Sequence, residues 1–209
     1  IATIAENTRQ SLVQISDGRG SIGSGTIWHA EGLIVTNAHV IIERGMARRG
    51  RAGFVPVHRT RDVHVILSNG ERLPVHILAT DEENDLAALS VDASNLPTIA
   101  AGDSRQVKAG QWVMAMGHPW GIADSITAGV VIGTGDNLPE LPPGRDWIAL
   151  NLTLRPGHSG GPLVDTDGKL IGINTMITGP EVGFAIPSHI VKQFLKDKLG
   201  TPISNSMSV

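Results

Sequence analysis

One stretch carries the residues with the clearest chemical potential: Arg155-Pro156-Gly157-His158-Ser159-Gly160-Gly161-Pro162-Leu163. It sets a serine among glycines, with apolar runs on both sides. Glycine lets a backbone turn sharply at positive φ and bring its N–H groups close to a ligand. Amides placed that way suit a serine nucleophile, because they can face a developing negative charge. The plain alternative is a Gly-Pro loop joining two strands. A serine hydroxyl is a weak nucleophile until a base and a group orienting that base are added. The histidines and acids therefore decide between the two readings.

Eight histidines compete for the role of base: His29, His39, His58, His64, His76, His118, His158 and His189. A lone histidine is ordinarily a surface or structural residue. His39 stands out because it closely follows the apolar run Gly32-Leu33-Ile34-Val35, where a strand end holds a side chain rigidly at a cleft. His58 falls in a basic loop, and His64 and His76 in a hairpin of polar alternation. His158 adjoins the serine, and neighbours on an extended turn point apart. Among the acids, Asp81-Glu82-Glu83-Asn84-Asp85 reads mostly as a solvated turn. Its last member, Asp85, leads into Leu86-Ala87-Ala88-Leu89 and is the one expected to point inward. An inward carboxylate needs a partner, and an imidazole N–H from His39 supplies one. No His-x-x-x-His pair falls on a helix and no histidine–carboxylate cluster has ligand spacing, so neither a metal nor another cofactor is expected.

These side chains need a framework to converge. The chain has 209 residues, enough for one large all-β unit or two small domains. Its net charge of −3 argues for neither nucleic acid nor an anionic membrane surface as partner. With no cysteine, disulfides, thiolate catalysis and cysteine-ligated zinc are excluded. No apolar run reaches the roughly 20 residues of a membrane-spanning helix. The chain begins at Ile1 without a basic-then-apolar leader, which reads as a processed or trimmed fragment. Twenty-five glycines indicate many turns around a Val/Ile/Leu core.

Apolar or alternating runs predict strands over 11–15, 23–30, 32–35, 64–68, 72–79 and 85–91. Asn69-Gly70 marks a hairpin between two of them. The segment 43–61 carries six arginines and reads as an exposed loop. Residues 95–110 link this half to a second set of strands over 111–117, 125–134, 148–154, 161–165, 169–175 and 183–186. Pro187 can then start a helix. Ile190, Val191, Phe194, Leu195 and Leu199 repeat at helical spacing, and Gly200 stops it. The pattern is all-β, of barrel type, with a C-terminal α-helix. The expected division is 1–95, carrying His39 and Asp85, and 96–209, carrying Ser159.

With these residues in view, the chain resembles the HtrA/DegP serine proteases of the trypsin-like fold. Thr36-Asn37-Ala38-His39-Val40, Asn84-Asp85-Leu86-Ala87 and Gly157-His158-Ser159-Gly160-Gly161-Pro162-Leu163 are similar to the family's three catalytic segments. Further matches are Gly102-Asp103-Ser104, Gly117-His118-Pro119, Ser125-Ile126-Thr127-Ala128-Gly129-Val130-Val131, Gly168-Lys169-Leu170-Ile171-Gly172-Ile173-Asn174-Thr175 and Gly183-Phe184-Ala185-Ile186-Pro187. Eight motifs in order cover nearly the whole chain.

The resemblance implies two six-stranded antiparallel β-barrels, with substrate in the groove between them. It implies a Ser159-His39-Asp85 triad acting through an acyl-enzyme, and an oxyanion hole from the N–H groups of Gly157 and Ser159. Leu154, Thr175, Met176 and Ile177 would line the pocket before the scissile bond. None is charged, so medium aliphatic residues should fit and buried Lys, Arg or Asp should not. An acid-specific variant would want a basic residue there and finds none. Substrates would be unfolded or extended polypeptides, and the location extracytoplasmic, in the periplasm or cell envelope. The family often forms homotrimers through its N-terminal segment, although 1–10 here lacks aromatic residues; its PDZ domain or a membrane anchor would lie outside this chain. Two departures flank the oxyanion loop and bear on its resting conformation: His158 where the family usually has Asn, and Arg155 where it usually has an uncharged polar residue. They leave room for a second reading, a peptide-binding or chaperone-like module with a resting, poorly active site.

Overall fold

The computed structural model describes residues 2–48, 54–136, 138, 143–175 and 182–200. The chain opens with helix α1 (Ala2–Arg9), then β1 (Leu12–Ser16), β2 (Ser21–His29), β3 (Leu33–Thr36) and a short helix α2 (Ala38–Ile41). Next come β4 (Ile42–Arg48), β5 (Phe54–Thr60), β6 (His64–Ile66), β7 (Arg72–Pro74), β8 (His76–Asp81) and β9 (Leu86–Ser90). The second half holds β10 (Trp112–Gly117), β11 (Ser125–Gly135), β12 (Trp147–Asn151), β13 (Pro162–Val164), β14 (Leu170–Thr175), β15 (Gly183–Pro187) and helix α3 (Ser188–Leu199).

The second half closes as expected, in the order β10-β11-β12-β15-β14-β13. Strand β13 returns to β10 through Met114↔Val164 and Ala115↔Leu163. The first half corrects the expectation of two closed six-stranded barrels. It is one open sheet of seven strands, ordered β7-β6-β1-β2-β3-β9-β8. The run 72–79, expected as one strand, splits at Val75, and its two pieces serve opposite edges of the sheet. Pro74 ends β7, and proline has no N–H to give a ladder. The edges are thus joined by covalent chain at Val75 and not by hydrogen bonds between β7 and β8.

A second correction concerns 43–61. Strands β4 and β5 form a two-stranded ribbon in register from Ile42↔Thr60 to Arg48↔Phe54, not a loop. Its charges still face water: Arg44, His58 and Arg59 are exposed. Arg44 Nη2 and His58 Nδ1 meet Glu82 at 3.1 and 3.3 Å, so the ribbon leans on the acidic turn before Asp85.

Helix α3 binds the halves together. Its apolar face brings Val191, Phe194 and Leu195 against Val35, Leu86 and Ala88 of the first sheet and Trp147, Val164 and Leu170 of the barrel. Each such side chain contributes about 1.5–3 kcal/mol when fully buried. Gly200 terminates the helix at φ +71°, with its N–H on Lys196 O. Both sheets are thereby pressed along one seam, where β1 and β2 meet β10.

Candidate functional site

The end of β3 delivers His39 to this seam. Thr36 and Asn37 are fully buried, and the chain then turns into α2. Asp85 enters from the opposite side, just before β9, at φ +55°. Its carbonyl accepts from Ala38 N–H (3.1 Å) and Asn37 Nδ2 (3.0 Å), which ties the acidic turn to the start of α2. Its carboxylate faces three donors. Oδ1 accepts from His39 N–H at 3.0 Å, and Oδ2 lies 2.8 Å from His39 Nδ1. The Thr175 hydroxyl donates to Oδ2 at 2.9 Å. An ionised carboxylate only accepts, so the ring carries its proton on Nδ1 and leaves Nε2 as a free base.

The serine turn comes from the barrel. Arg155-Pro156-Gly157-His158 is a β-turn closed by His158 N–H on Arg155 O at 2.9 Å, with Gly157 at φ +105°. Proline second and a positive-φ glycine third are the residues a type II turn demands. Gly160 sits at φ +85°, and a Cβ there would collide with the Ser24 carbonyl and the Thr36 hydroxyl. The peptide groups around Ser159 are held one after another. Gly157 O accepts from His118 N–H (3.0 Å) and from Ser24 Oγ (2.7 Å). Ser159 O accepts from Ser24 N–H (2.8 Å), and Gly160 N–H donates to Asn174 O (2.9 Å). Gly161 N–H closes back on His158 O (3.0 Å), and Thr26 Oγ1 donates to Gly160 O (3.2 Å). Among the described residues, no protein acceptor takes the N–H of Gly157 or of Ser159.

The structure therefore joins His39 to Asp85 directly and brings Ser159 to the same seam through the backbone. Val40, next to His39, and Ser159 O converge on Gly23: a Cβ there would lie 2.7 Å from Val40 Cγ1 and 3.3 Å from Ser159 O. Among the described residues, Ser159 Oγ is not hydrogen-bonded to His39 or to any other group. Of the other residues singled out in the sequence, Leu154 is half-buried against the barrel's inner cluster. Thr175 is buried, with its hydroxyl engaged by Asp85. Met176 and Ile177 lie outside the described residues.

Three contributors were not picked out from sequence: Thr175 as a partner of Asp85, and Ser24 and His118 behind the turn. The available signal was a buried-looking strand carrying hydroxyl residues at 24 and 26, since a buried hydroxyl needs a partner. Arg155, the unusual residue before Pro156, is exposed and lies over the Trp120 ring at 4.9 Å. His158 turns its Nδ1 back on Arg155, whose N–H is 3.1 Å away.

A second Ser-His-Asp chain of hydrogen bonds exists elsewhere. Ser104 Oγ is 2.8 Å from His189 Nδ1, and His189 Nε2 is 3.1 Å from Asp146 Oδ2. Here the serine meets Nδ1 and the acid meets Nε2, the reverse of the ring orientation in the template triad. Ser104 is buried and accepts from the His189 N–H at 3.0 Å. This set fastens the start of α3 to the segment linking the two halves.

Two buried histidines back the serine turn. Burial, and secondarily the charge of His158, pushes His118 down to about 4 from its ordinary 6.5. Burial first, and then the Arg155 charge, lowers His158 against a hydrogen bond to Arg155 that acts the other way. Both are neutral near pH 7. The unfolded chain binds these protons more readily, so their contribution to stability is full above pH 6.5 and is lost as pH falls through about 4. For His118 the effect amounts to about 3 kcal/mol. Urea unfolding at pH 7 and pH 4.5 should show His118→Gln losing less stability than wild type over that range; an equal loss would contradict the assignment.

A family model described as a trypsin-like peptidase domain matches residues 23–173. A probable periplasmic serine endoprotease, DegP-like, of Halomonas elongata is 39% identical over 184 residues, which are 84% of this chain and 34% of that relative. The protein of the same description from Chlamydia pneumoniae is 33% identical over 184 residues, with the same 84% and 34% coverage. The chain thus spans about a third of the length of these curated relatives. Among solved structures, an HtrA-type protease AlgW with decapeptide is similar with a TM-score of 0.80 and 27% identity, over 96% of this chain and 68% of that one.

Proposed function

We infer a serine endopeptidase from one premise: this chain belongs to the trypsin-like peptidase family, as an HtrA/DegP-like protease domain. Ser159 Oγ attacks a peptide carbonyl as His39 Nε2 takes its proton. The carbonyl oxygen, now negative, is received by the N–H groups of Gly157 and Ser159. His39 then protonates the leaving amine, and water repeats the sequence on the acyl-enzyme. Asp85 holds the ring tautomer and stabilises the imidazolium.

The observation that carries this reading is the His39–Asp85 pair, whose ring is held on Nδ1 with Nε2 unengaged. The free N–H groups at 157 and 159 support it from the other side of the seam. They also favour a working site over a resting peptide-binding module, since the turn needs no rearrangement to present two donors. Hydrogen bonds between a nucleophile and its base commonly tighten only once substrate is bound.

The substrate class is unfolded or extended polypeptide, in keeping with the decapeptide named with the HtrA-type relative. The periplasmic description of the DegP-like relatives supports an extracytoplasmic location. Specificity is assigned to Leu154, Thr175, Met176 and Ile177, none of them charged, so that cleavage follows Val, Ala, Leu or Ile.

A serine-reactive phosphonate tests the assignment. Peptide mapping should find the adduct on Ser159, abolished by prior treatment with a peptide aldehyde ending in valinal. An adduct on Ser104, or none, would overturn the site. Sequencing of casein fragments should show aliphatic residues before the cut, and a preference for Lys or Arg would overturn the pocket.

A further inference from the structure

We propose that Ser24, from the first sheet, is the positioning residue that sets the oxyanion turn of the second. The inference rests on reading 157–159 as the oxyanion site and extends it to a residue 133 positions away in sequence. Ser24 is fully buried in the middle of β2. Its single hydroxyl proton goes to Gly157 O, at 2.7 Å the shortest bond around the turn. Its oxygen accepts from His118 N–H at 3.0 Å, and His118 Nδ1 lies 3.1 Å away. Since the hydroxyl proton is already committed, Nδ1 must be the donor there, which assigns the His118 tautomer. Ser24 N–H meanwhile holds Ser159 O at 2.8 Å, and Ser24 O accepts from Thr36 Oγ1 at 2.6 Å.

The consequence is mechanical. A peptide unit is planar, so fixing Gly157 O on one side and His158 N–H on Arg155 O on the other locks the 157–158 unit. Ser24 N–H locks the next carbonyl but one. What remains unheld is the pair of N–H groups at 157 and 159. The first sheet thus supplies a grip on the second barrel's turn, besides the base and its acid. Without the Ser24 hydroxyl, Gly157 O keeps one donor of its two, the His118 N–H, and the His118 Nδ1–H loses its buried acceptor. The 157–158 unit is then free to rotate, and the neighbouring 156–157 unit, which carries the Gly157 N–H and hinges on the same Gly157 Cα, loses its fixed direction.

The test compares Ser24→Ala with Thr26→Val, which removes the hydroxyl two residues along β2 that holds Gly160 O. On a peptide substrate, Ser24→Ala should lose about 10²-fold in kcat, the cost of one oxyanion donor, with KM within about 2-fold. Its affinity for a peptide boronic acid, whose tetrahedral oxygen needs the hole, should fall by a similar factor. Thr26→Val should lose less than about 5-fold in either. Should Ser24→Ala fail to fold, Ser24→Cys keeps the volume with a weak donor and is expected to show the same split. Wild-type kcat in a folded Ser24 variant, or equal losses in Ser24→Ala and Thr26→Val, would overturn the role. Ser159→Ala separates the two claims. If it still turns over, the site itself is misassigned; if it is inactive while Ser24→Ala is fully active, the positioning role alone fails.

Discussion

Replacing Ser159 with alanine is expected to lower kcat on unfolded casein by about 10⁶, the scale of loss when a triad nucleophile is removed. The fold should survive. Ser159 is buried, but the bonds that hold its segment run through its carbonyl and its neighbours' backbone, which alanine keeps. The two free N–H groups also remain, so the variant should still bind peptide with nearly wild-type KM. Residual hydrolysis above the rate in water, roughly 10³-fold, would come from those donors and from binding. Ser104→Ala is the matched control, because Ser104 belongs to the other Ser-His-Asp chain and should leave kcat within a few-fold. Casein cleavage by Ser159→Ala at more than a tenth of the wild-type rate, or abolition of turnover by Ser104→Ala in a folded protein, would reverse the roles of the two serines.

The residues proposed to do chemistry could be singled out because their constraints are local. Ser159 lies in a turn whose glycines are required by backbone geometry, and Gly157 and Gly160 do adopt positive φ. Asp85 could be singled out as the last acid before an apolar run. What could not be read were partners set by tertiary contact. Thr175 meets Asp85 across 90 positions, and Ser24 meets Gly157 across 133. Sequence shows that a hydroxyl in a buried strand needs a partner but not which one. Thr175 illustrates this: its hydroxyl donates to Asp85, a partner that its place in the sequence does not reveal.

The fold errors have equally specific causes. The run 72–79 looks like one strand by its apolar content, yet Pro74 within it signals a break or an edge. Giving that proline full weight would have divided the run where the sheet divides it. In 43–61 the arginines suggested solvated loop, and their side chains do reach water at Arg44 and Arg59. But exposure of charge says nothing about backbone pairing, and a two-stranded ribbon can carry charge on its surface at little cost. The helix α3 was legible throughout, since 3.6-residue periodicity, a leading proline and a terminal glycine all agree.

Asp85→Asn should cost about 10⁴ in kcat at neutral pH, as the equivalent change does in comparable triads. The reason lies in the hydrogen-bond count. Three donors converge on the Asp85 carboxylate: the His39 N–H, the His39 ring Nδ1–H and the Thr175 hydroxyl. Asparagine brings one acceptor oxygen and an NH₂ that can only donate. If the oxygen stays with His39 N–H, the NH₂ faces the ring and the proton must move to Nε2. The imidazole then presents a donor where Ser159 needs an acceptor. If the amide flips, the NH₂ confronts the His39 backbone N–H and the short helix α2 loses its anchor. The first arrangement removes the base and the second keeps it only at the cost of a clash of two donors, so the first prevails; the oxyanion donors are untouched, KM should hold and phosphonate labelling should slow in step with kcat. Backbone strain is not the cause, because asparagine tolerates the φ of +55° at this position better than most residues. An Asp85→Asn enzyme within tenfold of wild type would mean that some other group orients His39, and the pair on which the mechanism turns would be a structural tie.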